Sequence, residues 1–353
     1  MVDARHDGPR WGSLTDVPGF RVGHAQRTED GWLSGVTVVV PPAGTVGAVD
    51  VRGGGPGTHE TDALDPTTLV PTVDAVTLTG GSAFGLASAG GVQRWCLEQG
   101  LGFAAGPVSD PRSVLVPIVP AAAVFDLGRG GDVATHPDAE LGYEAAASAG
   151  FDTPRGVIGA GTGALAARMT LKGGIGSAAL QLPGGVVVGA LVVLNALGSP
   201  LDTTTGALLG TAFVPPGLPR PPMPSAAENA SYLAELAAAA PPPAANTTLA
   251  VVATNATLDP ARTRRTATAA HDGLARSLAP AHTLLDGDTV FALASGEVEL
   301  DFPDVVAVQA AAADAVMLAV MDAVLAATGT DATAFGGVKV PSYRERFPSL
   351  VFP

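Results

Sequence analysis

Asn246-Thr247-Thr248 opens a short apolar run, Leu249 to Ala253, of the kind that forms a buried strand. Asn and Thr are common at strand starts because both suit turns and sheet edges, so one interpretation is purely structural. The chemical interpretation is that the Asn246–Thr247 bond is cut and Thr247 becomes a new N-terminus. Its own α-amine would then serve as the base for its hydroxyl. These residues alone leave both interpretations open.

Other polar side chains stand at the ends of apolar runs. Asn195 follows the run Val186 to Leu194, and Asp286-Gly287-Asp288 precedes the run Thr289 to Ser295. Asn and Asp at such positions are ordinary turn residues, and Asp-Gly-Asp is too short for an EF-hand calcium loop. Any chemistry at these positions therefore depends on what the fold places beside them.

The glycine-rich loop 52–62 follows a predicted strand but resembles no phosphate cradle. It lacks the Gly-Lys-Ser/Thr ending of a P-loop and the spacing of a dinucleotide fingerprint, so it predicts tight turns that bring backbone close to another segment.

Ser82 lies where a strand turns into a helix that we predict to run to about Gln99. It comes one residue too early for Gly-x-Ser-x-Gly, so we predict a helix N-cap and not a nucleophile.

Composition limits the classes of function. Among 353 residues, 47% are hydrophobic and 15% are charged, which indicates a compact protein with a large core. The formal net charge is -14, so no basic face is expected and nucleic-acid binding is excluded. Cys96 is the one cysteine, which rules out an internal disulfide and fits a reducing cytoplasm. The longest clean apolar run, 184–194, is too short for a membrane span, so a soluble protein is expected. The first seven residues carry charged side chains and no apolar stretch follows them, so no signal peptide is expected.

The sequence predicts neither a metal site nor a cofactor. Apart from His6, the histidines lack the spacing of metal ligands, so surface or hydrogen-bonded positions are the better interpretation. These are His24, His59, His136, His271 and His282.

Predicted strands and helices mix along the chain, and several neighbouring strands are joined as hairpins, for example across Pro183-Gly184-Gly185. This order favours mixed sheets covered by helices over a doubly wound parallel sheet. A further strand is predicted over 114–125. Residues 214–245 form a proline- and alanine-rich connector with one short helix, where a chain break would be tolerated, and the connector ends next to Thr247.

Taken together, the motifs resemble those of the P1 (S58) peptidases, which include L-aminopeptidase/D-amidases, β-aminopeptidases and nylon-oligomer hydrolases. The resemblance covers about residues 20–328. The motifs that carry it, in chain order, are Val22-Gly23-His24, Asp50-Val51-Arg52-Gly53-Gly54, Leu78-Thr79-Gly80-Gly81-Ser82-Ala83-Phe84-Gly85-Leu86, Gly159-Ala160-Gly161-Thr162-Gly163-Ala164, Lys172-Gly173-Gly174-Ile175-Gly176 and Asn246-Thr247-Thr248.

The resemblance implies an α+β fold, a four-layer αββα sandwich of the autoprocessed N-terminal-nucleophile type. A single domain, 1–353, would cut itself between Asn246 and Thr247 into fragments 1–246 and 247–353. These αβ units would assemble into a homo-oligomer, with a tetramer favoured. The expected substrate is a small peptide or other amide, and the expected location is the cytoplasm.

The resemblance also implies a role for each site residue. Thr247 would attack the Asn246 carbonyl in an N-to-O acyl shift, and later the substrate carbonyl. Asn195 matches a residue that stabilises the oxyanion. Asp286 and Asp288 match a pair that holds and polarises the amine of the nucleophile.

Two positions depart from the family pattern. The nylon hydrolases place a lysine shortly after a second glycine loop, which is 156–163 in this chain. Arg168 stands at about this position, and the nearby Lys172 is the alternative. Arg stays protonated and cannot shuttle a proton. Phe125 stands where several members have a tyrosine whose hydroxyl points into the site, so Phe125 removes that donor. We assign Phe125 and Ser82 to the substrate pocket.

Two alternative functions are kept. One is an acyltransferase on the same scaffold, like the ornithine acetyltransferases, which also cut themselves before a threonine. Transfer of the acyl group to an amine acceptor, instead of to water, would identify it. The other is a catalytically silent binding homologue, which the departures at Arg168 and Phe125 would fit.

Overall fold

The structure is a computed structural model that describes residues 11–106, 114–238 and 246–350. Sixteen strands and seven helices are named within these ranges. The strands are β1 (Arg21–Arg27), β2 (Ser34–Val40), β3 (Val46–Val51), β4 (Thr58–His59), β5 (Val76–Thr79), β6 (Phe103–Ala105), β7 (Val114–Val116), β8 (Ala121–Ala123), β9 (Leu165–Ala166), β10 (Leu171–Lys172), β11 (Gly174–Gln181), β12 (Val187–Asn195), β13 (Thr247–Ala256), β14 (Thr289–Val298), β15 (Thr330–Asp331) and β16 (Lys339–Val340). The helices are α1 (Ser82–Gly85), α2 (Ser88–Glu98), α3 (Ala139–Ala147), α4 (Ala226–Ala238), α5 (Pro260–Ser277), α6 (Phe302–Ala326) and α7 (Tyr343–Arg346).

Two five-stranded sheets form the centre of the molecule. One has the strand order β1-β2-β5-β8-β4 and the other has β11-β12-β13-β14-β3. In the second sheet β12 and β13 are antiparallel, whereas β13 and β14 are parallel. The sheets are therefore mixed, as the hairpin-rich sequence predicts.

Three hydrophobic clusters separate four layers. The cluster between the two sheets includes Val39, Leu249 and Val251. A second cluster joins the first sheet to α2 and α3, and a third joins the other sheet to α5 and α6. Successive residues of β13 divide between clusters, since Leu249 faces the other sheet and Ala250 faces the helices. This layering confirms the expected α+β, four-layer αββα sandwich.

Strand β13 lies third in its sheet, and all ten of its residues are buried. Its first residue is Thr247, so the Asn246–Thr247 bond lies at one end of the central strand of the sheet. Helix α5, which packs on this sheet, begins at Pro260 after the N-cap Asp259, whose side chain accepts a hydrogen bond from the Arg262 amide.

Three expectations about local structure need correction. The single strand predicted over 114–125 is two short strands, β7 and β8, interrupted by Pro117 and Pro120, which cannot donate to a ladder. The helix predicted from Ser82 to about Gln99 is divided into α1 and α2. Within the connector only α4 is regular, and residues 239–245 lie outside the described ranges.

Helix α6 is the one candidate membrane span among the described helices, by length and apolar composition alone. Within its most apolar window 67% of the helix is buried inside the fold, against β11 and β12 and beside α5. Burial of this extent is typical of a core helix of a globular domain.

Candidate active site

The hydroxyl of Thr247 lies against the carbonyl group of the residue before it. Its Oγ1 donates to the Asn246 carbonyl oxygen at 2.5 Å. The same oxygen accepts a hydrogen bond from the Gly287 amide at 3.0 Å. Both Asn246 and Thr247 are buried, with exposures of 3% and 4%. The hydroxyl, the bond that we expect to be cut and a fixed donor to its carbonyl oxygen therefore lie together.

Asn195, the last residue of β12, is paired directly with Thr247 across the antiparallel ladder. Side chains of directly opposed residues lie on the same face of a sheet, so the amide of Asn195 lies beside Thr247. Asn195 Nδ2 donates to the Phe125 carbonyl at 3.2 Å. An amide nitrogen has two N–H groups, and one therefore remains for another acceptor. The structure brings the predicted oxyanion donor to the predicted nucleophile.

The orientation of the Asn195 amide is fixed by Arg129, a residue that the sequence analysis missed. Arg129 Nη1 donates to Asn195 Oδ1 at 2.5 Å and to the Gly163 carbonyl at 2.7 Å. The Leu165 amide donates to the same Oδ1 at 3.0 Å. Because two donors hold Oδ1, the amide must present its nitrogen on the other side. Burial lowers the pKa of Arg129 to about 10, so it remains charged at neutral pH.

Asp288 holds the backbone immediately after Thr247. Its Oδ1 accepts the Thr248 amide at 2.7 Å. Its Oδ2 accepts the His282 amide at 3.0 Å and lies 2.8 Å from His282 Nδ1. Asp288 is 1% exposed, so these contacts replace the water that a carboxylate would otherwise bind. Asp288 thus fixes the backbone at Thr248, and His282 is its side-chain partner.

Asp286 shapes the loop on the other side of Asn246. Its Oδ2 accepts from the Thr283 amide at 3.0 Å and from the Thr283 hydroxyl at 2.6 Å. Its Oδ1 lies 3.4 Å from the Leu197 amide, just beyond the end of β12. Asp286 and Asn246 also form a parallel β-bridge. The carboxylate therefore ties the loop before β14 to the end of β12.

The backbone of the glycine-rich loop 52–62 packs directly on the backbone of the Asp-Gly-Asp loop, 286–288. The amides of Gly53 and Gly55 donate to the carbonyls of Asp288 and Asp286 at 3.1 and 2.9 Å. A Cβ on Gly53 would lie 2.2 Å from the Asp288 nitrogen, which no side chain allows. The tight-turn interpretation of this loop is confirmed, and the partner segment is the Asp-Gly-Asp loop.

Lys172 is fully buried and points at the second glycine loop. Its Nζ donates to the carbonyls of Ala164, Gly173 and Gly161 at 2.7, 2.9 and 3.1 Å. Burial, and then the nearby Arg129 charge, lower the pKa of Lys172 to about 7. Three carbonyl acceptors require three N–H donors, which the ammonium form supplies. These contacts of Lys172 hold the loop that leads to Leu165, and through it Asn195.

Arg168 lies in a tight turn with φ 57° and its side chain is exposed. Its backbone amide donates to the Leu197 carbonyl at 3.1 Å. Of the two positions considered for the family lysine, the buried Lys172 is therefore the one that points into the fold beside the Asn195 network. The catalytic role of either residue stays a prediction.

A cleft of ≈ 430 Å³, open mouth included, leads to Thr247. Ser82 and Phe125 line it together with Thr247, in the pocket position assigned to them. The N-cap prediction for Ser82 was wrong. The cap position is Gly81 with φ 78°, it makes no side-chain cap bond, and Ser82 follows at φ 52° inside α1. The rest of the lining is small or aliphatic: Gly55, Gly57, Ala123, Asn246, Leu284 and Leu285.

The sequence carried weak signals for the contacts that Arg129 and His282 make in this site. Arg129 stands with Asp126 in an otherwise glycine-rich stretch, and Asp126 accepts the Gly81 amide at 2.7 Å. Burial raises the pKa of Asp126. His282 precedes Asp286 by four residues. This spacing does not indicate a metal site, but the turn of the loop places the His282 side chain against Asp288. Within the described ranges no group of three or more His, Cys, Asp or Glu side chains could hold a metal.

We expect His282→Asn and His282→Ala to differ sharply in the rate at which Thr247 reacts. His282 has φ 58°, which Asn tolerates better than other residues with side chains, and the Asn amide can replace Nδ1–H as donor to Asp288. His282→Asn should stay within a few-fold of the wild type, and His282→Ala should be slower by roughly 10–100-fold. Self-cleavage rates from intact-mass time courses measure both. Equal rates for the two variants would contradict the positioning role.

His271 in α5 predicts a loss of stability in acid. It is fully buried, its Nε2 lies 2.9 Å from the Asp50 carbonyl, and its ring packs on His282 with centroids 4.8 Å apart. Burial lowers the pKa of His271 to about 4. The unfolded chain, with a histidine pKa of about 6.5, binds the proton first, so stability falls as the pH falls from about 6.5 toward 4.

The expected contribution is about 2 kcal/mol of unfolding free energy lost by pH 4.5. His271→Gln keeps an N–H donor near the Asp50 carbonyl but cannot titrate, so the variant should lose correspondingly less between pH 6.5 and 4.5. Urea unfolding at both pH values gives the comparison. Identical acid losses in wild type and variant would show that another group carries them.

Comparison with known proteins gives one consistent result. The model of peptidase family S58 matches residues 12–335. An uncharacterized aminopeptidase of Mycobacterium tuberculosis is 48% identical over 95% of this chain and 98% of its own length. A 6-aminohexanoate-oligomer endohydrolase of Kocuria sp. is 32% identical over 81% of this chain and 75% of its own.

Two solved structures share the fold. The L-aminopeptidase D-Ala-esterase/amidase of Ochrobactrum anthropi, described as a variant of the Ntn hydrolase fold, has a TM-score of 0.70 at 20% identity, over 98% of this chain and 96% of its own. A β-aminopeptidase of Burkholderia sp. has a TM-score of 0.69 at 23% identity, with the same coverage of both chains. These similarities support the sandwich architecture.

Proposed function

The chain belongs to peptidase family S58 and is a hydrolase of peptide or other amide bonds, and from that premise we propose that it matures by cutting its own Asn246–Thr247 bond. Thr247, as the new N-terminus, is then the nucleophile of an aminopeptidase or amidase that works through an acyl-enzyme. One observation carries the proposal. The Thr247 hydroxyl and the Gly287 amide both contact the carbonyl oxygen of Asn246, at 2.5 and 3.0 Å.

Self-cleavage follows from these contacts as an N-to-O acyl shift. Thr247 Oγ attacks the Asn246 carbonyl carbon, and the negative charge that develops on the oxygen is met by the Gly287 amide. The C–N bond then breaks, the hydroxyl proton ends on the nitrogen of Thr247, and an ester joins Asn246 to Oγ. Water hydrolyses this ester to the Asn246 carboxylate and a free Thr247 hydroxyl. One water is consumed.

Turnover repeats the same steps with an external substrate. The α-amine of Thr247, now free, takes the proton of Oγ as the hydroxyl attacks, and a proton passes to the amine that leaves. The base must be neutral, and an unperturbed α-amine has a pKa of about 7.7–8.0. Carboxylates close by, such as Asp286 and Asp288, favour its charged form. The rate should therefore rise with pH through neutrality and reach half of its maximum at about pH 8 or above.

An acyl-acceptor assay tests the proposal against the acyltransferase and the silent homologue. Purified protein is incubated with L-alanine p-nitroanilide, with and without ornithine as an amine acceptor. We expect release of p-nitroaniline and free alanine in equal amounts, unchanged by the acceptor. Alanyl-ornithine as the main product would favour the acyltransferase, and no release of p-nitroaniline from cleaved protein would favour the silent homologue.

We also propose that αβ units assemble into a homo-oligomer, with a tetramer favoured, in the cytoplasm. The β6–β7 hairpin supports assembly, because Phe103, Val114, Leu115 and Val116 are exposed apolar side chains on one small element. Light scattering coupled to size exclusion measures the mass of the assembly. A mass of one chain at micromolar concentration would contradict this proposal.

A further inference from the structure

The position of Asn246 in the uncut chain also indicates where a substrate residue binds. This inference rests on the proposed self-cleavage. In the acyl shift, Asn246 becomes esterified to Thr247 Oγ. In turnover, the acyl residue of the substrate becomes esterified to the same oxygen. Two esters of one oxygen in one rigid site place their acyl groups in the same space. Asn246 in the uncut chain therefore stands where a substrate residue binds.

From this equivalence we propose that the loop 285–287 is the acyl-residue subsite, and that it takes L-α-aminoacyl groups with an uncharged, aliphatic side chain. The backbone of Asn246 carries the first part of the argument. Its amide donates to the Leu285 carbonyl at 3.1 Å, and its carbonyl accepts from the Gly287 amide at 3.0 Å. The residue between them, Asp286, is the bridge partner of Asn246.

These two hydrogen bonds can form at the same time only when the nitrogen and the carbonyl group of the bound residue are separated as they are in Asn246. In an α-amino acid a single carbon separates the two groups, so an aminoacyl substrate can donate to Leu285 and place its carbonyl oxygen on the Gly287 amide at once. A β-amino acid inserts one more carbon, and a 6-aminohexanoyl group inserts four more, so either would lose one of the two bonds. A group without an amine loses the Leu285 bond outright.

The side chain of Asn246 defines the rest of the subsite. It is buried, and neither its Oδ1 nor its Nδ2 has a hydrogen-bond partner among the described residues. The cleft beside it presents Phe125, Leu284 and Leu285. Burying a polar side chain without partners is unfavourable, and burying a charged one is more so. Leucine, which has nearly the shape of asparagine, would fill the space without that cost.

Configuration follows from the same geometry. An L-residue held by its nitrogen and its carbonyl directs its side chain where the side chain of Asn246 lies. A D-residue held by the same two bonds would exchange the positions of its side chain and its Cα hydrogen. The side chain would then leave the space that Asn246 fills.

The test compares residues in the chain with the same residues in substrates. Self-cleavage rates are measured by intact mass after cell-free synthesis for Asn246→Leu, Asn246→Ala, Asn246→Asp and Asn246→Lys, with Thr247→Ala as the uncut blank. In parallel, kcat/KM of the mature wild-type protein is measured for the L-Leu, L-Ala, L-Asp and L-Lys p-nitroanilides. Three further anilides carry D-Leu, β-homoleucine and 4-methylpentanoyl groups.

We expect the same rank order in both series, with Leu first and with Asp and Lys lower than Leu by about 100-fold or more. The D-Leu, β-homoleucine and 4-methylpentanoyl anilides should fall at least about tenfold below L-Leu. Efficient hydrolysis with unrelated rank orders, or with the β- or D-substrate ahead of L-Leu, would overturn the subsite and leave the proposed nucleophile intact. A wild-type chain that neither cuts itself nor hydrolyses any anilide would overturn both.

Discussion

Thr247→Ala is expected to leave one uncut chain of 353 residues and to abolish amide hydrolysis, with a loss on the order of 10⁴-fold or more. The variant removes the only hydroxyl that contacts the Asn246 carbonyl oxygen among the described residues. It also prevents formation of the α-amine, so nucleophile and base are lost together. Intact mass and p-nitroaniline release measure the two effects on one preparation.

Thr247→Ser is the matched control. It keeps the hydroxyl and, after cleavage, the amine, and removes one methyl group, so both self-cleavage and turnover should persist. Thermal unfolding should show that Thr247→Ala is folded, with a change of about 1–2 kcal/mol at most. Fragments of 1–246 and 247–353 from Thr247→Ala would show that another group cuts the chain.

Gly287→Ala is expected to slow self-cleavage by about 100-fold or more and to cost about 1–3 kcal/mol of stability, with the chain still folded. A Cβ at this position would lie 2.6 Å from Thr247 Oγ1 and 2.9 Å from the Gly55 carbonyl oxygen. The methyl group must displace the hydroxyl or the glycine loop, and a displacement of about 1 Å at a reacting atom costs roughly 100-fold. Time courses of the uncut and cut masses give the rate.

Gly90→Ala serves as the control for adding a methyl group to a glycine. Gly90 lies in α2, and a Cβ there has no atom within 4 Å. The variant should cut itself at the wild-type rate, with a gain of up to about 1 kcal/mol in stability from helix propensity. If Gly287→Ala also kept the wild-type rate, the space around Thr247 Oγ would not be critical for the reaction.

Much of the fold was predictable from the sequence because the apolar runs and the hairpin turn are local signals. The hairpin at Pro183-Gly184-Gly185 and the strand that begins at Thr247 have the bounds, within a few residues, that periodicity and turn chemistry predict. The four layers came from the family resemblance and not from periodicity. Periodicity cannot tell which sheet covers which helix.

The site was predictable where one residue type dictates the chemistry, and not where partners come from distant segments. Thr247 and Asn195 were assigned their roles from the family resemblance, and the ladder pairs them. Arg129 could not be named, because its role depends on a contact with Asn195, 66 residues later in the chain. Ser82 was misassigned as a cap because the positive φ values at Gly81 and Ser82 place the helix start one residue earlier.

His282 shows the same limit at short range. It stands six residues before Asp288, yet the contact requires the chain to turn back through a left-handed residue at His282 itself. Even for histidine, which adopts a positive φ more often than most residues, this conformation is uncommon and the sequence does not predict it. The sequence therefore identified Asp288 as a candidate site residue, but only the loop geometry identified His282 as its partner.

The measurement that tests the central claim most directly is the intact mass of the wild-type protein after purification and incubation at neutral pH. Two fragments are predicted, 1–246 and 247–353, with masses that sum to the 34.9 kDa chain plus one water, and with threonine as the N-terminal residue of the smaller. A single uncut chain after prolonged incubation would contradict the account. A cut at any bond other than Asn246–Thr247 would contradict it equally.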